Sequence, residues 1–217
     1  MTSPRVVGRR ERAALLAALA SDQVVAVPGA GAYQLAARVD RRAARAKFAA
    51  LAATHADGVM PYLAVGHTGQ ALDLASAWTE EAKHLTDRVW PGPLTVILSA
   101  DHDVLRSVGA EGSSVRISMP TERALRLVCA EIGPVMMAAA LGLDGQPLTT
   151  VDDVLSRFTE TDVALVVNGG TCDGPGPTVV DCTVSPPVVR HTGALPSTYV
   201  EAALLMGARR RKRFFGP

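Results

Sequence analysis

The sequence predicts an α/β fold in which helices flank a mixed sheet of parallel and antiparallel strands. Short apolar segments alternate with segments of helical character along most of the 217 residues, which is typical of a sheet covered by helices. Several apolar segments follow one another with no helix between them, which favours antiparallel pairing in part of the sheet. Apolar residues make up 48% of the chain, enough for the core of one domain.

Each element of the first half has its own local signal. Clustered leucines among alanines predict an amphipathic first helix, and an apolar run closed by Pro28-Gly29 predicts a buried strand that ends at a turn. Thr79, followed by two glutamates, is typical of a helix N-terminus. In order, the predicted elements are a helix over 9–20, a strand over 24–27, a helix over 38–53, a strand over 61–65 and two helices within 68–88.

The second half contains more strands than helices. Thr121 and Thr150 are predicted to cap helices, and Gly133 to end the first of these. The predicted strands are 94–98, 114–119, 135–140, 163–167, 178–183 and 188–191; the predicted helices are 121–132, 150–158 and one from Ser197 to about Met206. The sequence therefore predicts one domain over 9–207 and a basic tail over 208–217.

Charge and composition exclude several classes of protein. The net charge of +1 does not fit a nucleic-acid polyelectrolyte, so any affinity for RNA must come from local clusters. The three cysteines and five histidines show no metal-ligand spacing, and no protein-bound metal is expected. No apolar run is long enough to span a bilayer and no signal peptide is found. These features predict a cytoplasmic protein in a reducing compartment with no membrane partner.

The most specific string is Trp90-Pro91-Gly92-Pro93-Leu94-Thr95, a Pro-Gly-Pro turn that leads into an apolar strand. Three further segments, 28–35, 114–120 and 178–194, occur with it in a characteristic order. Together these segments resemble the YrdC family, over about residues 9–195. The resemblance implies a twisted sheet with a concave ligand-binding face.

The resemblance also implies an activity. Family members are nucleotidyltransferases that join ATP, L-threonine and bicarbonate into threonylcarbamoyl-adenylate for tRNA modification. It implies ATP or AMP as ligand, Mg²⁺ accompanying the triphosphate, and tRNA, double-stranded RNA or the tRNA-modification transferase complex as partners.

Four residues match family positions expected to bind nucleotide or substrate: Tyr33, Arg116, Thr178 and Arg190. Each has a structural alternative. Tyr33 suits the core equally well, and Arg116 could end in a surface ion pair, although an arginine in an apolar strand favours a buried partner. Thr178 is as consistent with a strand residue whose hydroxyl is satisfied locally. The resemblance does not identify catalytic residues.

Other family positions have lost their polar groups. The family's Lys and Arg correspond to Thr54 and Ala56, and its Ser and Asn to Ala138 and Leu141. Further family positions for polar side chains fall on Gly29, Gly31 and Pro177. The sequence therefore predicts a nucleotide or RNA cleft with reduced or no family activity, because a site that desolvates a triphosphate needs such donors.

Three alternatives stay open. Arginines of the face formed by Arg38, Arg41, Arg42 and Arg45 could compensate, which would give an active synthase. The changed positions could instead suit carbamoyl-adenylate chemistry on another acceptor. The glycines at 29 and 31 follow a strand and could approach a phosphate with their backbone N–H groups.

A basic run stands apart at the end of the chain. It comprises Arg209, Arg210, Arg211, Lys212 and Arg213. Such a run is a candidate contact for RNA phosphates, and a solvated tail is the alternative.

Overall fold

The computed structural model describes residues 2–52, 61–108 and 112–214, with side chains described as far as residue 205. The strands are β1 Arg5–Gly8, β2 Val25–Pro28, β3 Tyr33–Arg38, β4 Tyr62–Ala64, β5 Leu94–Ser99, β6 Ser114–Ser118, β7 Val135–Ala139, β8 Leu165–Asn168, β9 Thr178–Asp181 and β10 Val188–His191. The helices are α1 Arg12–Ala20, α2 Arg42–Ala52, α3 Thr68–Asp73, α4 Glu80–Val89, α5 His102–Val108, α6 Arg123–Ile132, α7 Val151–Arg157 and α8 Ser197–Phe214.

The described strands form one mixed sheet in the order β1-β8-β2-β3-β7-β4-β6-β5-β9-β10. The pairs β1–β8, β2–β8, β4–β6 and β5–β9 are parallel, and the pairs β2–β3, β3–β7, β4–β7, β5–β6 and β9–β10 are antiparallel. This arrangement confirms the predicted α/β class. It also brings the carboxyl ends of β1, β8 and β2 to the same edge of the sheet.

Helices cover both faces of the sheet. On one face, α1 and α6 pack over β2, β3 and β7, with Leu15, Leu19 and Leu125 almost completely buried. On the other face, α2 and α7 cover the first part of the sheet through Phe48 and Val154, while α3, α4, α5 and α8 cover the strands around β5. The buried cluster beneath α1 and α6 includes Ala64 of β4 and no described residue of β6, β5 or β9. On that same face of the sheet Thr95, Ser118 and Asp181 are nevertheless buried.

The predicted helix ends follow the expected chemistry with one correction. The Thr79 hydroxyl accepts a hydrogen bond from Ala82 N at 3.1 Å, and Thr150 forms a capping box with Asp153. Gly133 ends α6 with φ of 94°. The predicted cap at Thr121 is wrong: Glu122 is the N-cap, and its side chain accepts from Ala124 N.

Two predicted boundaries fall differently along the chain. β1 joins the sheet before residue 9, and α8 continues through residues 208–214 rather than ending near Met206. Over the described ranges, no helix has the length and apolar character needed to cross a membrane. Cys129, Cys172 and Cys182 are buried free thiols.

Candidate functional site

A cleft of about 580 Å³ opens where β1, β2 and β8 end. Lining residues follow β1 and β2 directly, at Arg9 and Gly29, and follow β8 after two residues, at Thr171. The rim is formed by Arg9, by the turn 28–30, by the turn 120–122 and by the loop 171–177. Side chains of the sheet form the floor, namely Gln34, Tyr62, Ser118 and Met137. The cleft therefore lies between loops that the ends of these strands bring close together.

Close backbone packing fixes the loops around the cleft. Gly31 has φ of +75°, and a Cβ there would lie 2.8 Å from the carbonyl oxygen of Gly174. Ala194 N donates to the carbonyl of Gly176 at 2.9 Å. A side chain at Gly31 would push its turn away from the 174–176 loop, so this glycine supports the shape of the cleft.

Tyr33 lies beneath the cleft and is fully buried. Its hydroxyl accepts from Gly169 N at 3.0 Å and donates to the Gly170 carbonyl at 3.0 Å. Burial raises the pKa of this hydroxyl, and the hydrogen bond from Gly169 opposes that rise. Among the described residues that line the cleft, Tyr33 is absent; it holds the 169–170 turn behind the rim.

Thr178 is also fully buried, at the start of β9. Its hydroxyl donates to the Leu195 carbonyl at 2.7 Å and accepts from Gly193 N at 2.9 Å and Leu195 N at 3.0 Å. All the hydrogen-bonding capacity of the hydroxyl is thus used on the backbone of residues 193–195. This places Thr178 in support of the loop that carries Ala194 into the cleft wall.

Arg190 is paired within the protein. Its Nε and Nη2 atoms donate to Asp181 Oδ2 at 3.0 and 2.7 Å, and Thr183 N and Oγ1 donate to Asp181 Oδ1. Burial acts to raise the pKa of Asp181, but the hydrogen bonds from Thr183 and Arg190 outweigh it and hold that pKa below its ordinary value. The pair lies at the β9–β10 edge of the sheet.

Arg116 lies in β6, on the face of the sheet that carries α1 and α6. Strand register places Arg116, Ile97 and Asp181 side by side across β6, β5 and β9, and register partners share a face. Burial lowers the pKa of the Arg116 guanidinium, and the charge of Asp181 opposes this shift. Within the described ranges, no hydrogen-bond acceptor or ion-pair partner contacts Arg116. The structure therefore brings Arg116, Asp181 and Arg190 to one face, apart from Tyr33.

The positions at which the family resemblance implies polar side chains fall in several places. Gly29 and Pro177 line the cleft. Ala138 and Leu141 are buried, and Ala138 packs with the α2–α7 side of the core. Thr54 and Ala56 lie outside the described residues, as do the side chains of Arg209–Arg213, whose backbone continues α8.

Three of the four arginines considered for compensation are engaged elsewhere. Arg38 donates to Asp40 at 2.8 Å, and Arg41 lies 3.5 Å from the carboxylate of Asp22. Arg45 donates to the carbonyls of Val39 and Ser107. None of these three lines the described part of the cleft.

Arg9 is the cleft residue that the sequence analysis missed. Its Nη2 donates to the carbonyl of Gly169, and its Nε lies 4.0 Å from Glu122 Oε2. Among the described lining residues it carries the positive charge, and Glu122 and Asp173 carry negative charges. The available signal was the run Val6-Val7-Gly8, a short strand whose end places the next residue at the sheet edge. Within the described ranges, no group of three or more His, Cys, Asp or Glu side chains is arranged to hold a metal ion.

Comparison with known proteins agrees with the fold. The Sua5/YciO/YrdC family model, described as "Telomere recombination", matches residues 17–193. Threonylcarbamoyl-AMP synthase of Bacillus subtilis is 30% identical over 190 residues, which are 87% of this chain and 55% of that protein. Threonylcarbamoyl-AMP synthase of Pyrococcus abyssi is 32% identical over 133 residues, 60% of this chain and 39% of that protein.

A solved structure shows the same architecture. P. abyssi Sua5 in complex with L-threonine superposes with a TM-score of 0.78 at 25% identity, covering 94% of this chain and 60% of that chain. This chain thus spans between about two fifths and three fifths of the length of these relatives. The family model matches most of the chain, and the mixed sheet is shared with the solved structure. The chain therefore belongs to the Sua5/YciO/YrdC family.

Proposed function

We propose that this protein binds a nucleotide in the cleft and has little or none of the threonylcarbamoyl-AMP synthase activity for which its relatives are named. The observation that carries the proposal is the charge of the described cleft lining, where Arg9 is accompanied by Glu122 and Asp173. A synthase must hold the triphosphate of ATP, which has close to four negative charges, and this lining does not balance them.

The energetic argument supports binding without efficient turnover. Hydrogen bonds to charged groups contribute about 1.5–3 kcal/mol each, so losing two of them weakens binding or the transition state by roughly 10²- to 10⁴-fold. Ala138 and Leu141 are buried apolar residues and offer no side-chain donor to such a ligand. The floor around Met137 and Tyr62 is mostly apolar, which suits a base or another flat group.

A turnover assay tests the proposal. Purified protein is incubated with ATP, bicarbonate, Mg²⁺ and L-threonine, and pyrophosphate release is followed beside the B. subtilis relative as a positive control. We expect release at least about 100-fold slower than the relative, together with a thermal shift on addition of adenosine or AMP. Threonine-dependent release at the relative's rate would contradict the proposal.

Arg116 favours a second candidate, an active synthase. Its partly buried guanidinium has no hydrogen-bond or ion-pair partner within the described ranges and stands on the same face of β6 as the cleft residue Ser118. A desolvated cation of this kind favours an anionic ligand. If turnover is found, Arg116→Gln should abolish it; repeating the assay with other amino acids as acceptors tests the related carbamoyl-adenylate chemistry.

RNA is the partner that the basic run suggests. The backbone of α8 carries residues 209–213 in helical conformation, and clustered cations release counterions from phosphates on binding. Binding of a tRNA hairpin should weaken with salt, and the slope should flatten when residues 209–217 are deleted. An unchanged slope would remove this segment from the proposed interface.

A further inference from the structure

We infer that Arg9 is an anion-binding residue of the cleft and takes one phosphate or carboxylate group of the ligand. The inference deepens the proposed nucleotide-binding function and rests on it. Arg9 directly follows β1 and lines the cleft, yet it precedes residue 17, where the match to the family begins. The cation therefore enters the cleft from a segment outside the family-matched range.

The position of Arg9 is fixed by the loops behind it. Its Nη2 donates to the carbonyl of Gly169, whose own N–H donates to the buried Tyr33 hydroxyl at 3.0 Å. A Cβ at residue 169 would lie 2.3 Å from Pro28 Cβ, so the turn is pressed against the end of β2. One residue, Gly169, thus connects the guanidinium to a fully buried tyrosine through its carbonyl and its N–H. A cation held in this way loses little freedom when it binds a ligand.

The guanidinium keeps donors for a ligand. Of its five N–H groups, one is used on Gly169, and the separation of 4.0 Å between Nε and Glu122 Oε2 is too long for a hydrogen bond. The side chain remains 55% exposed. The planar fork of arginine matches the two oxygens of one carboxylate or phosphate.

The neighbouring carboxylates limit the ligand to one such group. Glu122 Oε2 lies 4.0 Å from Arg9 Nε at the rim, and Asp173 lies on the 171–177 loop that lines the same cleft. A single anionic group on Arg9 satisfies the guanidinium, whereas additional phosphates would approach these carboxylates and be repelled. The described lining therefore favours a singly phosphorylated or carboxylate ligand over a triphosphate.

Calorimetric titration with matched ligand pairs tests the inference. The pairs are AMP with adenosine and L-threonine with L-threoninamide, which separate a phosphate source from a carboxylate source. The proteins are wild type, Arg9→Gln, Arg9→Lys and the control Arg5→Gln, which removes an exposed charge from the same strand outside the cleft. Thermal unfolding verifies that each variant is folded.

We expect Arg9→Gln to reduce affinity for the anionic member of at least one pair by about tenfold or more, with the neutral member unchanged. The affinity of Arg9→Lys for the anionic member should lie between those of wild type and Arg9→Gln. The affinity of Arg5→Gln should equal that of wild type. The inference would be overturned if the ratio of affinities for the anionic and neutral members of each pair were the same in wild type and in folded Arg9→Gln. That result would leave nucleotide binding intact. If wild type binds neither AMP nor adenosine, the proposed function fails, and the threonine pair still decides the role of Arg9; if that pair shows no binding either, both are overturned.

Discussion

The hydroxyl of Tyr33 donates a 3.0 Å hydrogen bond to the carbonyl of Gly170, 137 residues further along the chain. The same oxygen accepts from the N–H of Gly169. Backbone groups of two adjacent residues in the turn after β8 are therefore satisfied by one side chain that extends from the start of β3. Tyr33, which matches a family position, thus supports the cleft indirectly through the 169–170 turn.

Replacing Tyr33 with Phe should destabilise the protein without disturbing its core volume. The change leaves Gly169 N–H and the Gly170 carbonyl without their partner, at a cost of about 1–3 kcal/mol. For a chain of this size, that corresponds to a fall in Tm of about 2–10 °C in differential scanning calorimetry. Tyr199→Phe is the control because Tyr199 is 44% exposed, and equal Tm values for the two variants would contradict the prediction.

Thr178→Val should be among the more costly conservative changes. It keeps the shape of the side chain and removes a hydroxyl that makes three hydrogen bonds to residues 193–195. We expect a loss of about 2–3 kcal/mol in the free energy of unfolding, measured by urea denaturation. Thr178→Ser keeps the hydroxyl and should lose about 1 kcal/mol for the missing methyl group; a larger loss for Ser than for Val would show that packing dominates.

Two glycines with nearly the same positive φ should differ in the stability that the protein loses when each is replaced by alanine. Gly31 has φ of +75° and a backbone oxygen 2.8 Å from where Cβ would lie, whereas Gly145 has φ of +77° with nothing within 4 Å. Gly145→Ala measures the conformational cost alone, about 1 kcal/mol. Gly31→Ala adds displacement of the 174–176 loop and should cost about 2–4 kcal/mol. Chemical denaturation of both variants compares them directly, and equal costs would mean that the loops separate freely.

The Asp181 carboxylate should make stability depend on acid pH. Its pKa lies below the ordinary value in the folded protein, so its contribution is complete above the unfolded pKa of about 3.9 and is lost as pH falls through the lower folded pKa. Arg190 is 55% exposed, which keeps the expected contribution to about 1–2 kcal/mol.

Unfolding free energies of wild type and Asp181→Asn, measured between pH 7 and pH 3, check this dependence. The difference between the two proteins should be steady down to about pH 4 and then narrow. Asp103→Asn, whose carboxylate is 91% exposed, should change stability by less than about 0.5 kcal/mol at every pH. If the unfolding free energy of wild type instead exceeded that of Asp181→Asn by a growing amount below pH 4, the pKa of Asp181 would be raised in the folded protein and not lowered.

Local patterns predicted most elements because their signals are self-contained. The caps at Thr79 and Thr150 need only the residues that follow them, and the run before Pro28 forms a strand in any sheet. β3 was not predicted because Tyr33–Arg38 contains three residues of weak strand preference, among them two alanines; its pairing with β2 and β7 decides its conformation. α5 was missed for a similar reason, since its seven residues gain their stability from burying Leu105 and Val108.

The site was harder to predict than the fold. Sequence motifs single out Arg116, Thr178 and Arg190. They do not reveal that the Thr178 hydroxyl is hydrogen-bonded to a neighbouring loop or that Arg190 is paired with Asp181. Arg9 was not singled out because its approach to the cleft depends on the parallel pairing of β1 with β8, a contact between residues about 160 positions apart.

The position of β1 has a practical consequence for anyone who shortens the chain. A protein trimmed to residues 17–193, the range that the family model matches, would lose this edge strand and the first half of α1 together with Arg9. It would also lose α8 and the cleft residue Ala194. Sequence comparison would still classify the fragment as a full member. Its cleft would lack the guanidinium, so binding measurements on such a fragment would describe a different site from that of the whole chain.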